Sequence, residues 1–168
     1  RRYNKRFGTD YTDDDVLITT GSQQILDLLG KVLLDKGDGV IVEKPTYLAA
    51  IQAFALNQPT FHEVELTEDG LNIDELNAAL DAGAKMIYLI PNFQNPTGLT
   101  YTAENREQVR EALSKHNIVV VEDDPYGELR FPTSAARRCP TASSWGRSRR
   151  RSRPASAWAT SSPRTTRC

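Results

Sequence analysis

Two short motifs that follow apolar runs contain residues able to do chemistry. Residues 92–98 read Asn-Phe-Gln-Asn-Pro-Thr-Gly after the apolar run 86–90, and an Asp-Asp-Pro-Tyr motif begins at Asp123 after the run 118–122. Open α/β sheets hold ligands in loops that leave the carboxyl ends of parallel strands. An aspartate there can keep a protonated heterocyclic nitrogen charged, because an opposite charge raises that nitrogen's pKa. The alternatives are a tight turn for the first motif and a solvated strand end or a cation site for the second.

Two further segments have residue types suited to a phosphate and a flat ring. Thr20-Gly21-Ser22-Gln23-Gln24 lies at a predicted helix start, where free amide groups and the positive helix end suit an anion. An ordinary serine cap explains that segment equally well. In the segment Lys44-Pro45-Thr46-Tyr47, the tyrosine is either a core aromatic or a platform for a ring. Each segment alone is therefore weak evidence of a site.

Alternating helix and strand patterns up to residue 131 predict an α/β fold that would position these segments. The run 86–90 is apolar throughout, as a strand covered on both faces must be. We therefore predict a three-layer α/β/α fragment with a mostly parallel sheet, in which 86–90 and 118–122 are neighbouring strands. Asn72 and Thr102 are predicted helix caps. The remaining elements are a strand or turn at 16–20, strands at 39–43 and 61–66, and helices at 23–34, 46–56, 72–80 and 102–116.

The motifs occur in the order and approximate spacing of class I/II, fold-type I aminotransferases, which use pyridoxal 5'-phosphate (PLP). The chain most resembles the branch of 2-aminoadipate and aromatic aminotransferases and the aminotransferase-like domains of MocR-type regulators. The match covers residues 14–131, so the resemblance implies that 1–132 form part of the PLP-binding large domain. It also implies amino transfer between an amino acid and a 2-oxo acid, by an intact protein that is a homodimer.

The resemblance assigns cofactor contacts to residues of every motif. Asp123 would pair with the pyridinium nitrogen, which makes the ring an electron sink for a substrate carbanion. Tyr47 would stack on the pyridine ring. Ser22 and Gln23 would hold the phosphate. Asn95 and Tyr126 would hydrogen-bond the phenolic oxygen.

The sequence departs from the family at its most reactive residue. Such enzymes form a Schiff base through a lysine that follows the Asp-x-x-Tyr motif, and no lysine follows Lys115. We therefore predict no catalytic residue in this chain and expect it to be inactive. The alternative is the PLP-binding sensor domain of a MocR-like transcription regulator, which needs no turnover, and a generic α/β binding module is a third hypothesis.

Residues 133–168 differ abruptly in composition and are predicted to be a frameshifted, disordered tail. They contain no Val, Leu, Ile, Asp, Glu or Lys, and every residue type present has codons with G or C in the middle position. A GC-rich gene read in a shifted frame has this property. Restoring the other frame can return Ser-Phe-Ser-Lys across 147–150, so the missing lysine codon would overlap Arg150. An evolved disordered tail and a basic nucleic-acid arm are the alternatives.

Bulk properties favour a soluble protein that acts on small molecules. The formal net charge of −1 gives no reason to expect a nucleic-acid or anionic membrane partner. No stretch approaches the roughly 20 apolar residues of a membrane span, and residues 1–6 are not followed by the apolar core of a signal peptide. The cytoplasm is the expected location. Cys139 and Cys168 predict neither a disulfide framework nor a metal site.

Overall fold

A computed structural model of the protein describes Asn4 and residues 10–126, in which helices and strands alternate. The predicted helices and central strands are confirmed, with ends that differ from prediction by a few residues. The elements that follow a short 3-10 helix at Asp13–Asp15 are α1 (Ser22–Leu33), β1 (Gly39–Lys44), α2 (Leu48–Ala55), β2 (Thr60–Glu65), α3 (Ile73–Asp81), β3 (Met86–Leu89), α4 (Ala103–Ser114) and β4 (Val119–Glu122). The hypotheses about residues 133–168 lie outside the described residues.

The strands form one four-stranded sheet in the order β2-β1-β3-β4, and every neighbouring pair is parallel. The predicted pairing of β3 with β4 is confirmed, with Met86 opposite Val119 and Leu89 opposite Glu122. Parallel strands need a crossover between them, and each of α2, α3 and α4 lies in such a connection. The carboxyl ends of all strands therefore lie at one edge of the sheet, which we call the carboxyl edge.

Each face of the sheet has its own apolar core, because successive side chains along a strand point to opposite faces. Val42 and Tyr88 belong to the cluster that packs against α1 and α2. Ile41 and Ile87 belong to the cluster that packs against α3 and α4. The sheet is therefore the middle layer of three, as predicted.

Side-chain caps fix the starts of two helices. The Asn72 side chain accepts hydrogen bonds from the backbone amides of Asp74 (3.1 Å) and Glu75 (3.3 Å). The Thr102 hydroxyl accepts from the Asn105 amide at 3.2 Å. These amides would otherwise have no partner within their helices, so both predicted caps have the expected physical role.

The β-branched run at residues 16–20 forms no strand, so the strand alternative of that prediction is wrong. Val16, Leu17 and Ile18 are 59%, 68% and 90% exposed. Strand propensity depends on packing and on a partner for the backbone, and none of the four described strands pairs with this run.

In the part of the chain that the structure describes, no helix has the length and apolar character required to cross a membrane.

Candidate functional site

Several residues predicted from the sequence lie around the carboxyl edge. Tyr47 comes after β1, Asn95 after β3 and Asp123 immediately after β4. Ser22, the first residue of α1, lines one small cavity together with Tyr88 and Asp123. The fold therefore brings residues that are about 100 positions apart in sequence to one small region.

Asp123 is the most constrained charged residue of this edge. It is 5% exposed, its amide donates to the Leu89 carbonyl at 2.8 Å, and its Oδ2 accepts from the Tyr88 hydroxyl at 2.7 Å. Among the described residues, its Oδ1 is buried and has no hydrogen-bond partner. Burial raises the pKa of Asp123, the Tyr88 hydrogen bond lowers it, and the nearby Asp124 raises it. A buried carboxylate oxygen without a partner is unfavourable, so this atom suits a cationic N–H donor.

Tyr88 is suited to remain the hydrogen-bond donor of this pair. Burial raises the pKa of its hydroxyl far above the ordinary value, and the negative charge of Asp123 raises it further. The hydroxyl therefore stays protonated at neutral pH. Sequence reasoning missed Tyr88, although a hydroxyl within an otherwise apolar buried strand was a signal that could have identified it.

The start of α1 has the backbone geometry expected of an anion site. Its N-cap is Gly21, which has φ of +111° and no side chain that could cap the helix. Among the residues that the structure describes, no atom outside its chain neighbours lies within 4 Å of a Cβ built at Gly21. Gln24 turns back instead, and its Oε1 accepts from the Thr20 amide at 2.7 Å. The first-turn amides and the positive helix end are therefore available to a phosphate.

The other predicted contact residues differ in exposure. Gln23 is exposed, and its Nε2 donates to the Ala49 carbonyl at 3.4 Å. Tyr47 is half-buried against the core on the α1 side, so it retains both the core and the platform interpretation. Asn95 is half-buried, and Tyr126 is 39% exposed. The structure describes where these side chains lie, and their cofactor contacts stay predictions.

A buried polar cluster beneath the loop 92–98 was missed by sequence reasoning. Glu43 is 1% exposed, and its Oε1 accepts from the Ile90 amide (2.9 Å) and the Tyr101 hydroxyl (2.6 Å). Its Oε2 accepts from Gln94 Nε2 at 2.8 Å. The only sequence signal was an acid that ends an apolar strand, which is also typical of a solvated strand end.

Arg106 joins the same cluster from α4. Its guanidinium donates to the carbonyls of Tyr101 (3.1 Å) and Pro91 (2.6 Å) and to the Asn92 side chain (3.0 Å). Arg106 thereby holds the start of the loop against the helix. Its positive charge also lowers the pKa of the buried Glu122.

Adjacent acids at the end of β4 point to opposite faces of the sheet. Asp123 contacts Tyr88 on the α1 side, whereas Glu122 lies on the side of Arg106. Burial raises the pKa of Glu122 to about 8, and Asp124 contributes to the rise.

Within residues 10–126 and Asn4, no group of His, Cys, Asp or Glu side chains forms a potential metal site.

The family model "Aminotransferase class I and II" matches residues 2–147. The chain therefore belongs to the class I and II aminotransferases, as the sequence motifs predicted.

Curated relatives have names that agree with the predicted branches of this family. The chain is 41% identical over 133 residues to aromatic-amino-acid aminotransferase 1 of Thermococcus litoralis, covering 76% of this chain and 32% of that protein. It is 48% identical over 119 residues to 2-aminoadipate transaminase of Thermus thermophilus, covering 70% and 30%. It is 33% identical over 133 residues to the uncharacterized HTH-type transcriptional regulator YdcR of Escherichia coli, covering 78% and 28%. The chain thus spans about a third of the length of these relatives.

Solved aminotransferase structures share the fold. The kynurenine aminotransferase of Pyrococcus horikoshii matches with a TM-score of 0.70 and 43% identity, over 78% of this chain and 34% of that one. LysN, the α-aminoadipate aminotransferase of Thermus thermophilus, matches with a TM-score of 0.68 and 43% identity, over 76% and 32%. The LysN structure is complexed with N-(5'-phosphopyridoxyl)-L-leucine.

Proposed function

We propose that this chain is part of a PLP-dependent aminotransferase and that its carboxyl edge binds the cofactor. The observation that carries the proposal is the buried Oδ1 of Asp123, which has no partner among the described residues and follows a parallel strand. A protonated pyridine nitrogen supplies the cation that this oxygen lacks. Family membership and the phosphopyridoxyl group in the related LysN structure support the same cofactor.

The other proposed contacts are those that the resemblance to the family implies. Ser22, Gln23 and the first-turn amides of α1 hold the phosphate at the positive end of the helix. Tyr47 lies against one face of the ring, and Asn95 and Tyr126 donate hydrogen bonds to the phenolic oxygen.

The chemistry that PLP supplies when bound is an electron sink for the carbanion left when an amino acid loses its α-proton. Asp123 maintains the positive charge of the ring nitrogen, which strengthens that sink. Tyr88 donates to the second oxygen of Asp123 and so orients the carboxylate toward the ring. The substrates of the intact enzyme are an amino acid and a 2-oxo acid.

We propose that the present chain binds the cofactor without catalysing turnover. No lysine follows Lys115, and Lys44, which ends β1, lies 3.7 Å from Glu63 and 3.5 Å from Glu65 in ion pairs on the sheet surface. Arg150, whose codon would overlap the lysine codon in the other frame, lies outside the described residues. An arginine cannot replace the lysine, because its guanidinium stays protonated and is not a nucleophile near neutral pH.

The test compares the chain with two variants. PLP binding is followed by absorbance in the wild type, in Asp123→Asn and in Asp69→Asn, a matched change of an exposed aspartate. Asp123→Asn should bind PLP more weakly and Asp69→Asn should bind it like the wild type, whereas equal binding by all three would overturn the site assignment.

A second experiment measures turnover. Borohydride should trap no cofactor on a lysine of the present chain, and no 2-oxo acid should form. The product of a frame-corrected full-length gene should show both the trapped lysine adduct and 2-oxo-acid formation. Multiple turnovers by the present chain would contradict its proposed inactivity.

The second candidate function is a PLP-binding sensor domain of a MocR-like regulator. The 33% identity to the regulator YdcR favours it. The nucleotide sequence upstream of the codon for Arg1 distinguishes the regulator from the aminotransferase, because a winged-helix coding region there would indicate the regulator.

In the aminotransferase proposal the intact protein is a cytoplasmic homodimer. Analytical ultracentrifugation of the full-length product measures its oligomeric state.

A further inference from the structure

Gln94 links the loop 92–98 to β1 through a fully used side chain. Its Nε2 donates to Glu43 Oε2 and to the Pro45 carbonyl, both at 2.8 Å. Its Oε1 accepts from the Thr97 amide (3.0 Å) and the Thr97 hydroxyl (2.7 Å). An amide side chain has two donor hydrogens and an oxygen that accepts two bonds, so no capacity is left. Gln94 is 1% exposed and therefore cannot exchange these partners for water.

The backbone of Gln94 closes the same loop. Its amide donates to the Leu99 carbonyl at 2.7 Å, and its carbonyl accepts from the Gly98 amide at 2.5 Å. The two backbone hydrogen bonds thus tie the far end of the turn that contains Asn95 to Gln94 at its start. A displacement of the Gln94 side chain would move the turn as a unit.

Glu43 forms the fixed end of this connection. All three of its hydrogen-bond partners, the Ile90 amide, the Tyr101 hydroxyl and the Gln94 amide group, are donors. A carboxylate satisfies three donors, whereas a neutral amide at this position would set an N–H group against one of them. Burial raises the pKa of Glu43, and the hydrogen bonds from Tyr101 and Gln94 lower it. The cluster therefore selects a glutamate at the end of β1.

The segments joined by Gln94 contain two of the proposed ring contacts. Pro45 lies two residues before Tyr47, and Asn95 is the neighbour of Gln94. Tyr47 follows β1 and Asn95 follows β3, so their separation depends on how those two loops are connected. We propose that Gln94, anchored by Glu43, is a positioning residue that sets the spacing between Tyr47 and Asn95 for a planar ring bearing a phenolic oxygen. This inference rests on the proposed function, because the ring contacts of Tyr47 and Asn95 belong to it.

The first experiment needs no ligand and measures whether Gln94 couples the two segments. Amide hydrogen exchange is followed in the full chain and in Gln94→Met, which keeps the length of the side chain and removes its hydrogen bonds. The Gly98 amide reports on the turn, and the Ala50 amide, which donates to the Tyr47 carbonyl at 3.1 Å, reports on the other segment. Both should exchange about tenfold faster, the change expected from about 1.4 kcal/mol of lost local stability. Faster exchange at Gly98 alone would overturn the coupling.

Two further variants separate positioning from general damage to the fold. Thr97→Val removes the hydroxyl that donates to Gln94 and accepts from the Leu99 amide at 3.2 Å. Because Thr97 is exposed and the Gln94 contacts to β1 remain, this variant should fold and show a smaller change at the same two amides. Asn72→Ala removes the cap of α3 and should lower the overall stability without singling out these amides. If Asn72→Ala accelerates them as much as Gln94→Met does, the effect is global and the positioning role is refuted.

The second experiment measures ring binding with 4-deoxypyridoxine 5'-phosphate, a phosphorylated ring without an aldehyde that needs no lysine. Gln94→Met should weaken binding about tenfold in the wild-type background, and by less than about twofold in an Asn95→Ala background, because Gln94 acts through Asn95. Equal losses in both backgrounds would overturn the inference. A wild-type chain that does not bind the probe would refute the proposed function, while the exchange experiment still decides whether Gln94 couples the two segments.

Discussion

The buried carboxyl group of Glu122 predicts a measurable loss of stability as the pH rises. Glu122 is 7% exposed, and burial raises its pKa from 4.5 to about 8. Because the pKa is higher in the folded chain than in the unfolded chain, the folded chain keeps a proton that the unfolded chain releases between these values. The stability conferred by this proton is fully present below pH 4.5 and is lost as the pH rises toward 8.

The size of the effect follows from one retained proton. The free energy of unfolding should fall by about 1.4 kcal/mol for each pH unit between about 5 and 7.5 as a result of Glu122. Over that interval of about 2.5 units, the accumulated loss is about 3.5 kcal/mol. Glu122→Gln has the shape of the protonated acid and cannot ionise. Its stability should therefore equal that of the wild type near pH 4.5 and exceed it progressively at higher pH.

Urea unfolding at several pH values between 4.5 and 8 is the appropriate measurement. Burial also raises the pKa values of Glu43 and Asp123, so the informative quantity is the difference in unfolding free energy between Glu122→Gln and the wild type. Glu68→Gln is the matched control, because Glu68 is exposed on the turn that follows β2. The control difference should not change with pH. A Glu122→Gln difference that is equally constant would show that Glu122 is ionised in the folded chain and would refute the reasoning.

Two further predictions concern contacts that the structure specifies. A Cβ at Gly70 would lie 2.1 Å from the Asn105 side-chain oxygen, whereas one at Gly83 would meet nothing within 4 Å. Gly70→Ala should therefore destabilise the chain more than Gly83→Ala, by at least about 2 kcal/mol in urea unfolding, and equal losses would contradict the predicted clash. Tyr88→Phe removes the hydroxyl that donates to Asp123 and should lower stability by about 2 kcal/mol at pH 7.5. Burial raises the pKa of Asp123, so that loss should shrink as the pH falls and Asp123 takes up a proton, and a loss independent of pH would argue against a charged Asp123.

Local sequence patterns predicted most of the fold because each element carries its own signal. Asn72 and Thr102 could be predicted as caps, since a cap is satisfied by amides within three residues along the chain. The run 86–90 was predicted to be a buried strand, because a strand covered on both faces cannot alternate with polar residues. The run 16–20 is rich in β-branched residues but forms no strand, because strand formation also requires a neighbour that local sequence does not supply.

Adjacent acids show what could be predicted about the site and what could not. Residues 122–124 could be placed at the carboxyl end of a parallel strand, where ligands bind. Their number and order could not show that one buried oxygen of Asp123 would have no hydrogen-bond partner among the described residues, or that Glu122 would lie on the opposite face near Arg106. Those outcomes depend on which neighbouring side chains reach each oxygen, and Tyr88 reaches only one of those on Asp123.

The sequence by itself determined the order of helices and strands, the family and the motifs that reach the carboxyl edge. These features depend on hydrophobic periodicity and on short motifs, which are read along the chain. The tertiary structure alone decided that Glu43, Gln94 and Tyr101 would form a closed network beneath the loop 92–98. Glu43 and Tyr101 are 58 residues apart, and a buried hydrogen bond between them exists only when β1 and the residues before α4 are packed together. The physical reason is that burial removes water as an alternative partner, so pairing is set by three-dimensional proximity rather than by sequence.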